Sequence, residues 1–377
     1  MRKAPADGAT RFENCQTQPL KQHRVFNNPN VITEGWYPVY PSRKLKRGQA
    51  DSVKITYQRI LLYRSESGDV AAMDAFCPHM GADLANGRVV GDKIECYFHQ
   101  WQFGPDGTLA DSGCARAPKN VKNHAWPVEE KYGYIWVYSA QEAPYPVPSP
   151  PGLEEEEIES WNIAKVRLLA HHHVMIVGGV DLLHFATVHN LDVDFNLEAD
   201  ESPLRATWKL DGAVSKRGWR EALAHRFIGG RVNYHAHVAG GSYVSLAYGP
   251  DLQWTHSQKK TPVFYIAWGC VPTENGVSDV KVFAVTPKAK GIFSWLRTRL
   301  KLLLTIVLLA ILQDDDVKAF PYMRFNIGAL TKEDRSASRM VRFLNSLPIS
   351  VWSRQTTPAE EVSSLQGKTD LDQAPTK

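Results

Sequence analysis

A chain of 377 residues allows one large domain or two ordinary ones, and an apolar share of 43% with 11 Trp, 14 Tyr and 14 Phe suffices for a sizeable core. A formal net charge of +4 argues against a dedicated nucleic-acid binder, which concentrates a basic face. Five cysteines are an odd, sparse set for a disulfide framework, and the start MRKAPADGATRFENCQ lacks the apolar stretch of a secretory signal. The expectation is a reducing, cytoplasmic compartment, where clustered Cys and His mean metal more often than disulfide.

Residues 1–35 read as an irregular or helical arm. From Gly35 the texture changes to short runs rich in β-branched and aromatic residues, 53-VKITYQRILLYR-64, 69-DVAAMDAF-76 and 133-GYIWVYSA-140, punctuated by Gly, Asp, Asn and Pro. This predicts a small all-β domain with hairpin turns over 36–150. The stretch 142-EAPYPVPSPPGLEEEEIES-160 reads as a surface connection with a solvated acidic run. A second domain over 151–355 opens with 165-KVRLLAHHHVMIVGGVDLLHFATVHNL-191 and continues with strand-like sequence from about Leu204 to Thr286. Its apolar segment 291-GIFSWLRTRLKLLLTIVLLAIL-312 is interrupted by Arg297, Arg299 and Lys301, leaving 11 uninterrupted residues from Leu302 to Leu312. A spanning helix needs roughly 20, so a buried core helix is expected, or one lying on a membrane surface. After 313-QDDDV-317 comes a further helical segment near 331–346, then a polar, disordered tail over 356–377. No internal repeat is visible. The fold class expected is α+β, an all-β domain followed by a domain of strands and separate helices.

The chemistry lies first in 77-CPHMGADLANGRVVGDKIECYFHQWQF-103, which orders its ligand types Cys77-x-His79, then Cys96-x-x-His99. Structural zinc commonly pairs cysteine with cysteine and histidine with histidine. Here each pair is mixed, as a [2Fe–2S] cluster of the Rieske type requires, with two thiolates on one iron and two imidazoles on the other. Neutral imidazoles in place of thiolates raise the potential, to about −150 to +300 mV against about −400 mV for plant-type ferredoxins. Pro78, Gly81 and Gly87 suit tight loops, Gly91-Asp92 reads as the hairpin turn between them, and Tyr97, Phe98, Trp101 and Phe103 are expected to shield the second loop.

A second group is 181-DLLHFATVHN-190, with Asp181, His184 and His189. Two His and one carboxylate on one face hold mononuclear non-heme iron with positions left open. His184 and His189, five apart, diverge by about 140° on an ideal helix. They meet only if His189 lies past the helix end or beyond a bulge. The run His171-His172-His173 reads as structural or pocket-lining: at strand spacing no more than two of the three share a face.

On these motifs the chain resembles the Rieske non-heme iron oxygenases, terminal oxygenase (α) subunits, over about 36–345. Cys77-Pro-His79 … Cys96-Tyr-Phe-His99 looks like their cluster motif, and D-x-x-H-x4-H looks like their iron motif. The paired extra cysteines of respiratory Rieske proteins have no counterpart, since Cys114 lies outside both loops. The opening 36-WYPV-39 and the single large chain look most like the monooxygenase and desaturase branch, which includes 3-ketosteroid hydroxylases and sterol oxygenases. The resemblance implies a third iron ligand in a late helix, Asp314 by its place after Gln, with Asp315 and Asp316 as alternatives. It makes Asp181 an electron-transfer bridge to a Rieske histidine of a neighbouring subunit, in a homotrimer. It implies O2, a separate NAD(P)H-dependent flavin reductase or ferredoxin, and hydroxylation, dihydroxylation, demethylation or desaturation of an organic substrate. Tyr234, Tyr243, Tyr248, Trp254, Phe264, Tyr265 and Trp268 are candidates to line an apolar pocket for a hydrophobic cyclic substrate, which the apolar helix would help admit. The rival is a Rieske electron-transfer protein without oxygenase activity. Iron content separates the two.

Overall fold

Buried and outward side chains alternate along Arg205–Val214, with Ala206, Trp208, Leu210 and Val214 inward. That period of two is what a sheet buried on one face demands. The computed structural model describes residues 24–113, 120–189, 191–215, 218–257, 259–273, 276–313 and 316–353.

Among the described residues the first part holds eleven strands: β1 (Trp36–Pro41), β2 (Ala50–Ile55), β3 (Gln58–Arg64), β4 (Val70–Asp74), β5 (Arg88–Val90), β6 (Lys93–Glu95), β7 (Gln102–Phe103), β8 (Leu109–Asp111), β9 (Ala125–Trp126), β10 (Val128–Lys131) and β11 (Tyr134–Tyr138). They form small antiparallel sheets ordered β1-β11-β10, β2-β3-β4-β9 and β5-β6-β7-β8. Gly91-Asp92 is the turn between β5 and β6, as its composition predicts.

The second part runs β12 (Ile158–Leu168), α1 (His173–Gly178), α2 (Leu183–Thr187), β13 (Val193–Glu201), β14 (Arg205–Val214), α3 (Trp219–Ile228), β15 (Arg231–Ala239), β16 (Tyr243–Tyr248), β17 (Phe264–Pro272), β18 (Ser278–Pro287), α4 (Ser294–Gln313), α5 (Asp316–Ala319) and α6 (Arg335–Ser346). Its seven described strands form one antiparallel sheet, β12-β18-β17-β16-β15-β14-β13. One face, with Trp208, Tyr234, Leu246, Ile266 and Trp268, packs on α1, α6 and the inner side of α4. The other, with Tyr243, Ala247, Tyr265, Phe283 and Val285, packs on Trp36, Tyr134 and Trp136 of the first part. The α+β architecture agrees with the sequence reading.

Several local expectations are corrected. Strand structure in the second part begins with β12 at Ile158 and resumes at Val193 rather than near Leu204, and α3 interrupts it. The proline-rich connection is not a loose surface segment: Tyr145, Val147 and Leu153 are buried, and the Trp36 indole N–H donates to Tyr145 O at 2.8 Å. Glu154–Glu157 are solvated as expected. The arm's described end, from Arg24, is seated through buried Val25, Phe26 and Ile32. α4 is a 20-residue helix buried along a single stripe rather than a core helix. Among the described residues no helix is long and apolar enough to cross a membrane. The tail over 356–377 lies outside the described residues.

Candidate metal centres

Cys77 follows β4 and Cys96 follows β6, and the two loops that start there have the same backbone pattern. Each cysteine N–H donates to the carbonyl five residues on, Cys77 to Ala82 O and Cys96 to Trp101 O, both at 2.8 Å. Each cysteine carbonyl accepts from the N–H four residues on, Gly81 at 2.8 Å and Gln100 at 2.9 Å. Both of those residues are left-handed, Gly81 at φ 75° and Gln100 at φ 62°. A side chain rarely tolerates that conformation, so the second loop keeps it at some cost in local strain.

The result is a polarised pair of loops. Both thiols are buried and both imidazoles are exposed. The His79 and His99 ring centroids lie 4.7 Å apart, and His79 stacks on Trp101 at 4.2 Å. Burial pushes the Cys77 thiol up to about 11, and the neighbouring Cys96 thiol adds to this, while the His79 and Met80 N–H groups aimed at the sulfur pull the other way. A thiolate at this place is disfavoured unless a cation accepts it. Two buried sulfurs and two surface imidazoles, converging with backbone donors around the sulfurs, fit a cluster with one thiolate-held and one imidazole-held iron. Trp101 and Phe103 are buried as expected of shielding residues, but Tyr97 and Phe98 are 80% and 57% exposed. With Phe76 and Met80, also exposed, they form an apolar rim around the imidazoles.

The second centre opens on a cavity of about 370 Å³ on the helix-bearing face of the large sheet. Ile163 and Val166 of β12, Leu246 of β16, Val282 of β18, and Ile306 and Leu309 of α4 wall it, and His184 and His189 are its imidazoles. α2 ends at Thr187, so His189 lies beyond the helix, and the two rings come to 5.0 Å between centroids. The Asp181 carboxylate is fixed by the Leu183 N–H on Oδ1 at 3.1 Å, with Oδ2 3.7 Å from His184 Nδ1. That distance is too long for a hydrogen bond, and His184 Nδ1 is buried with no such partner. Phe185 stacks on Tyr234 at 5.6 Å and meets His189 edge-on, bracing the loop. The two imidazoles are two of the three donors of a non-heme iron site, whose carboxylate is expected from 314–316. Asp314 and Asp315 lie outside the described residues. Asp316 opens α5, and nothing is described of its side chain.

Residues 35–125 match the Rieske [2Fe-2S] domain family. This chain carries a Rieske domain. The match implies the [2Fe–2S] cluster. Cholesterol 7-desaturase nvd from Bombyx mori is 36% identical over 167 residues, covering 43% of this chain and 36% of that protein. The oxygenase component of a 3-ketosteroid-9-alpha-monooxygenase from Rhodococcus rhodochrous is 30% identical over 165 residues, 42% of this chain and 43% of that one. The chain therefore spans less than half the length of these relatives in the matched region. Along nearly its full length it superposes on a crystal structure of dicamba monooxygenase bound to dicamba, with TM-score 0.54 at 16% identity, covering 89% of this chain and 99% of that one. The chain shares the fold of that structure.

Behind the Rieske domain, three of the seven candidate aromatics, Tyr234, Tyr248 and Trp268, line the cavity. Tyr243 and Tyr265 belong to the opposite sheet face, against the Rieske domain. Trp254 is exposed and meets Phe227 at the surface. Phe264 is half-buried and lines no part of the cavity. The aliphatic wall was missed in sequence. Its signal is the side of β12 and β16–β18 facing the helices, legible only once the strand register is known.

The His171–His173 run is corrected too. It enters α1 rather than following strand spacing, and all three rings are buried, with candidate ligand nitrogens within 4.8 Å of one another. Burial pushes His171 down to about 4, and His172 and His173 further below the ordinary histidine range. The rings are therefore neutral, but two are already engaged. His171 Nδ1 accepts from the His173 N–H at 3.3 Å, and His173 Nδ1 accepts from the Asn27 N–H at 3.1 Å. An accepting Nδ1 puts the ring proton on Nε2 and leaves no lone pair for a metal. The cluster ties the N-terminal segment to α1, and none of its members lines the cavity.

Proposed function

We propose that this chain is the terminal component of a Rieske oxygenase. It takes electrons from a separate NAD(P)H-dependent flavin reductase or ferredoxin and uses O2 to hydroxylate, demethylate or desaturate a hydrophobic cyclic substrate. The observation that carries the reading is the cavity: about 370 Å³ of apolar space with only His184 and His189 as imidazoles in its wall. A pure electron carrier has no use for it, whereas small-molecule sites are of this size and composition. The steroid substrates in the relatives' names fit the same apolar lining.

Cys77, Cys96, His79 and His99 hold the cluster within a unit over 36–150, and His184, His189 and Asp314 hold iron within a unit over 151–355. Iron bound there supplies the O2 chemistry that side chains lack. Ile306, Leu309 and Ala310 before Asp314, and Phe320 and Pro321 after it, all line the cavity, which supports the third ligand coming from 314–316. The Asp181 carboxylate, 3.7 Å from His184 Nδ1, favours the ring proton on that nitrogen by charge rather than by a hydrogen bond, which leaves Nε2 to ligate. Trp268, Tyr234 and Val282 exclude water and orient the substrate. The apolar rim of Phe76, Met80, Tyr97 and Phe98 is the face on which the neighbouring subunit of a trimer, or the electron donor, seats. A reducing, cytoplasmic compartment suits the unpaired buried thiols.

Metal analysis of anaerobically purified protein, with EPR of the reduced sample, tests the reading. Three irons and two sulfides per chain are expected from one cluster plus one iron. Two irons and two sulfides, unchanged after anaerobic Fe(II) reconstitution, would make the protein an electron carrier. NAD(P)H-coupled O2 uptake with steroid-like and polycyclic compounds then tests the substrate class, and no response to any of them would refute it.

A further inference from the structure

α4 carries two apolar stripes where its packing explains one. The inner stripe is Thr298, Leu302, Thr305 and Leu309, all buried, at spacings of four, three and four. The threonines are satisfied within the helix, Thr298 on Ser294 O at 2.8 Å and Thr305 on Lys301 O at 2.9 Å. The outer stripe is Leu296, Leu300, Leu303 and Val307, at the same spacing on the opposite face. Its members are 54%, 63%, 53% and 47% exposed. The preceding turn adds Ile292 and Phe293, 84% and 73% exposed. A helix that is apolar all round needs cover on every side.

The charges say what kind of cover. From Lys288 to Gln313 the sequence has five Lys or Arg and no Asp or Glu. Lys288 is paired with Glu157 at 3.3 Å. The other four, Lys290, Arg297, Arg299 and Lys301, precede or occupy the first two turns of α4, where the helix dipole favours anions. On a helical projection Arg297 and Arg299 flank the outer stripe on either side. Trp295, also exposed, has the Arg299 guanidinium over its ring at 4.5 Å. Apolar stripe, flanking cations and an end-on tryptophan are the parts of a helix that lies in a lipid interface, with long cationic side chains reaching the headgroups.

We propose that the outer face of α4, with the turn Gly291–Phe293, docks on an anionic lipid bilayer surface. The same helix walls the cavity through Ile306, Leu309 and Ala310, and Ala310 is itself exposed. Docking therefore sets the cavity beside the acyl region, a route for a lipophilic molecule that never enters water. That delivery role rests on the oxygenase reading; the docking does not.

The test is co-flotation of the full, metal-loaded chain with phosphatidylcholine vesicles, with and without phosphatidylglycerol. Flotation with the anionic vesicles, weakened by salt, is expected. Leu300→Gln/Leu303→Gln/Val307→Gln should lower partitioning by at least about 100-fold, with iron content and gel-filtration volume unchanged. Arg297→Gln/Arg299→Gln, a milder change, should lower it about fivefold per cation. Three results overturn the proposal: no flotation on anionic vesicles, flotation unaffected by both variants, or a triple variant that dissociates an oligomer, which would make this face a contact between copies. Flotation without any O2 uptake would leave docking standing and count against the oxygenase reading alone.

Discussion

Gly269 lies in the middle of β17, paired with Tyr243 and Lys281, where the large sheet meets the Rieske domain. A Cβ there would come 2.5 Å from Pro38 Cγ and 2.6 Å from Trp136 Cη2. Carbon atoms pack best about 3.5–4.0 Å apart, so Gly269→Ala forces the two surfaces to part by about 1 Å. Neither neighbour yields easily. Pro38 is a ring in β1, and Trp136 is fully buried with its indole N–H donating to Lys131 O at 2.9 Å. Overpacking of this kind costs about 1–3 kcal/mol, offset by the roughly 0.5–1 kcal/mol that Ala gains over Gly in a strand. At the middle of those ranges the net loss is about 1 kcal/mol, a fall of roughly 2–4 °C in the calorimetric midpoint of the second domain. Adding Pro38→Ala should return part of it, as a coupling of at least about 0.5 kcal/mol. A Gly269→Ala protein melting at or above the wild-type temperature would refute the close seating of the Rieske domain on β17.

Asp181→Asn should retain the cluster's EPR signal and most of the iron while cutting coupled O2 uptake by at least about tenfold; normal turnover would remove Asp181 from electron transfer and from orienting His184. Leu246→Trp, which puts bulk into the cavity, should raise KM for a polycyclic substrate by about tenfold or more with iron content unchanged; an unchanged KM would place the substrate elsewhere. Burial holds both His171 and His237 down to about 4 from 6.5. The unfolded chain therefore binds protons that the folded chain refuses: stability is full above about pH 6.5 and is lost as pH falls toward 4, by roughly 3 kcal/mol per histidine. Denaturant midpoints across that window should drop less steeply in His237→Gln than in wild type, and parallel slopes would contradict the burial of His237.

Both candidate ligand groups, which the structure brings together as Cys77, His79, Cys96 and His99 and as His184 and His189, were legible in sequence, because residue type and spacing are local. The α+β order and the position of His189 beyond a helix end were also legible, the latter from helix geometry alone. The corrections all concern long-range contact. Strand spacing misread the three histidines because nothing local says that Asn27 closes over them, 146 residues away. Tyr97 and Phe98 look like shielding residues in sequence, yet a left-handed Gln100 turns the loop so that they point outward. The cavity wall was invisible because it is assembled from alternate residues of separate strands, and a one-residue change of register would send each to the other face. Sequence alone thus singled out the candidate metal-binding side chains. Tertiary packing decided what surrounds them, since burial, register and the two-sided exposure of α4 are properties of distant segments meeting.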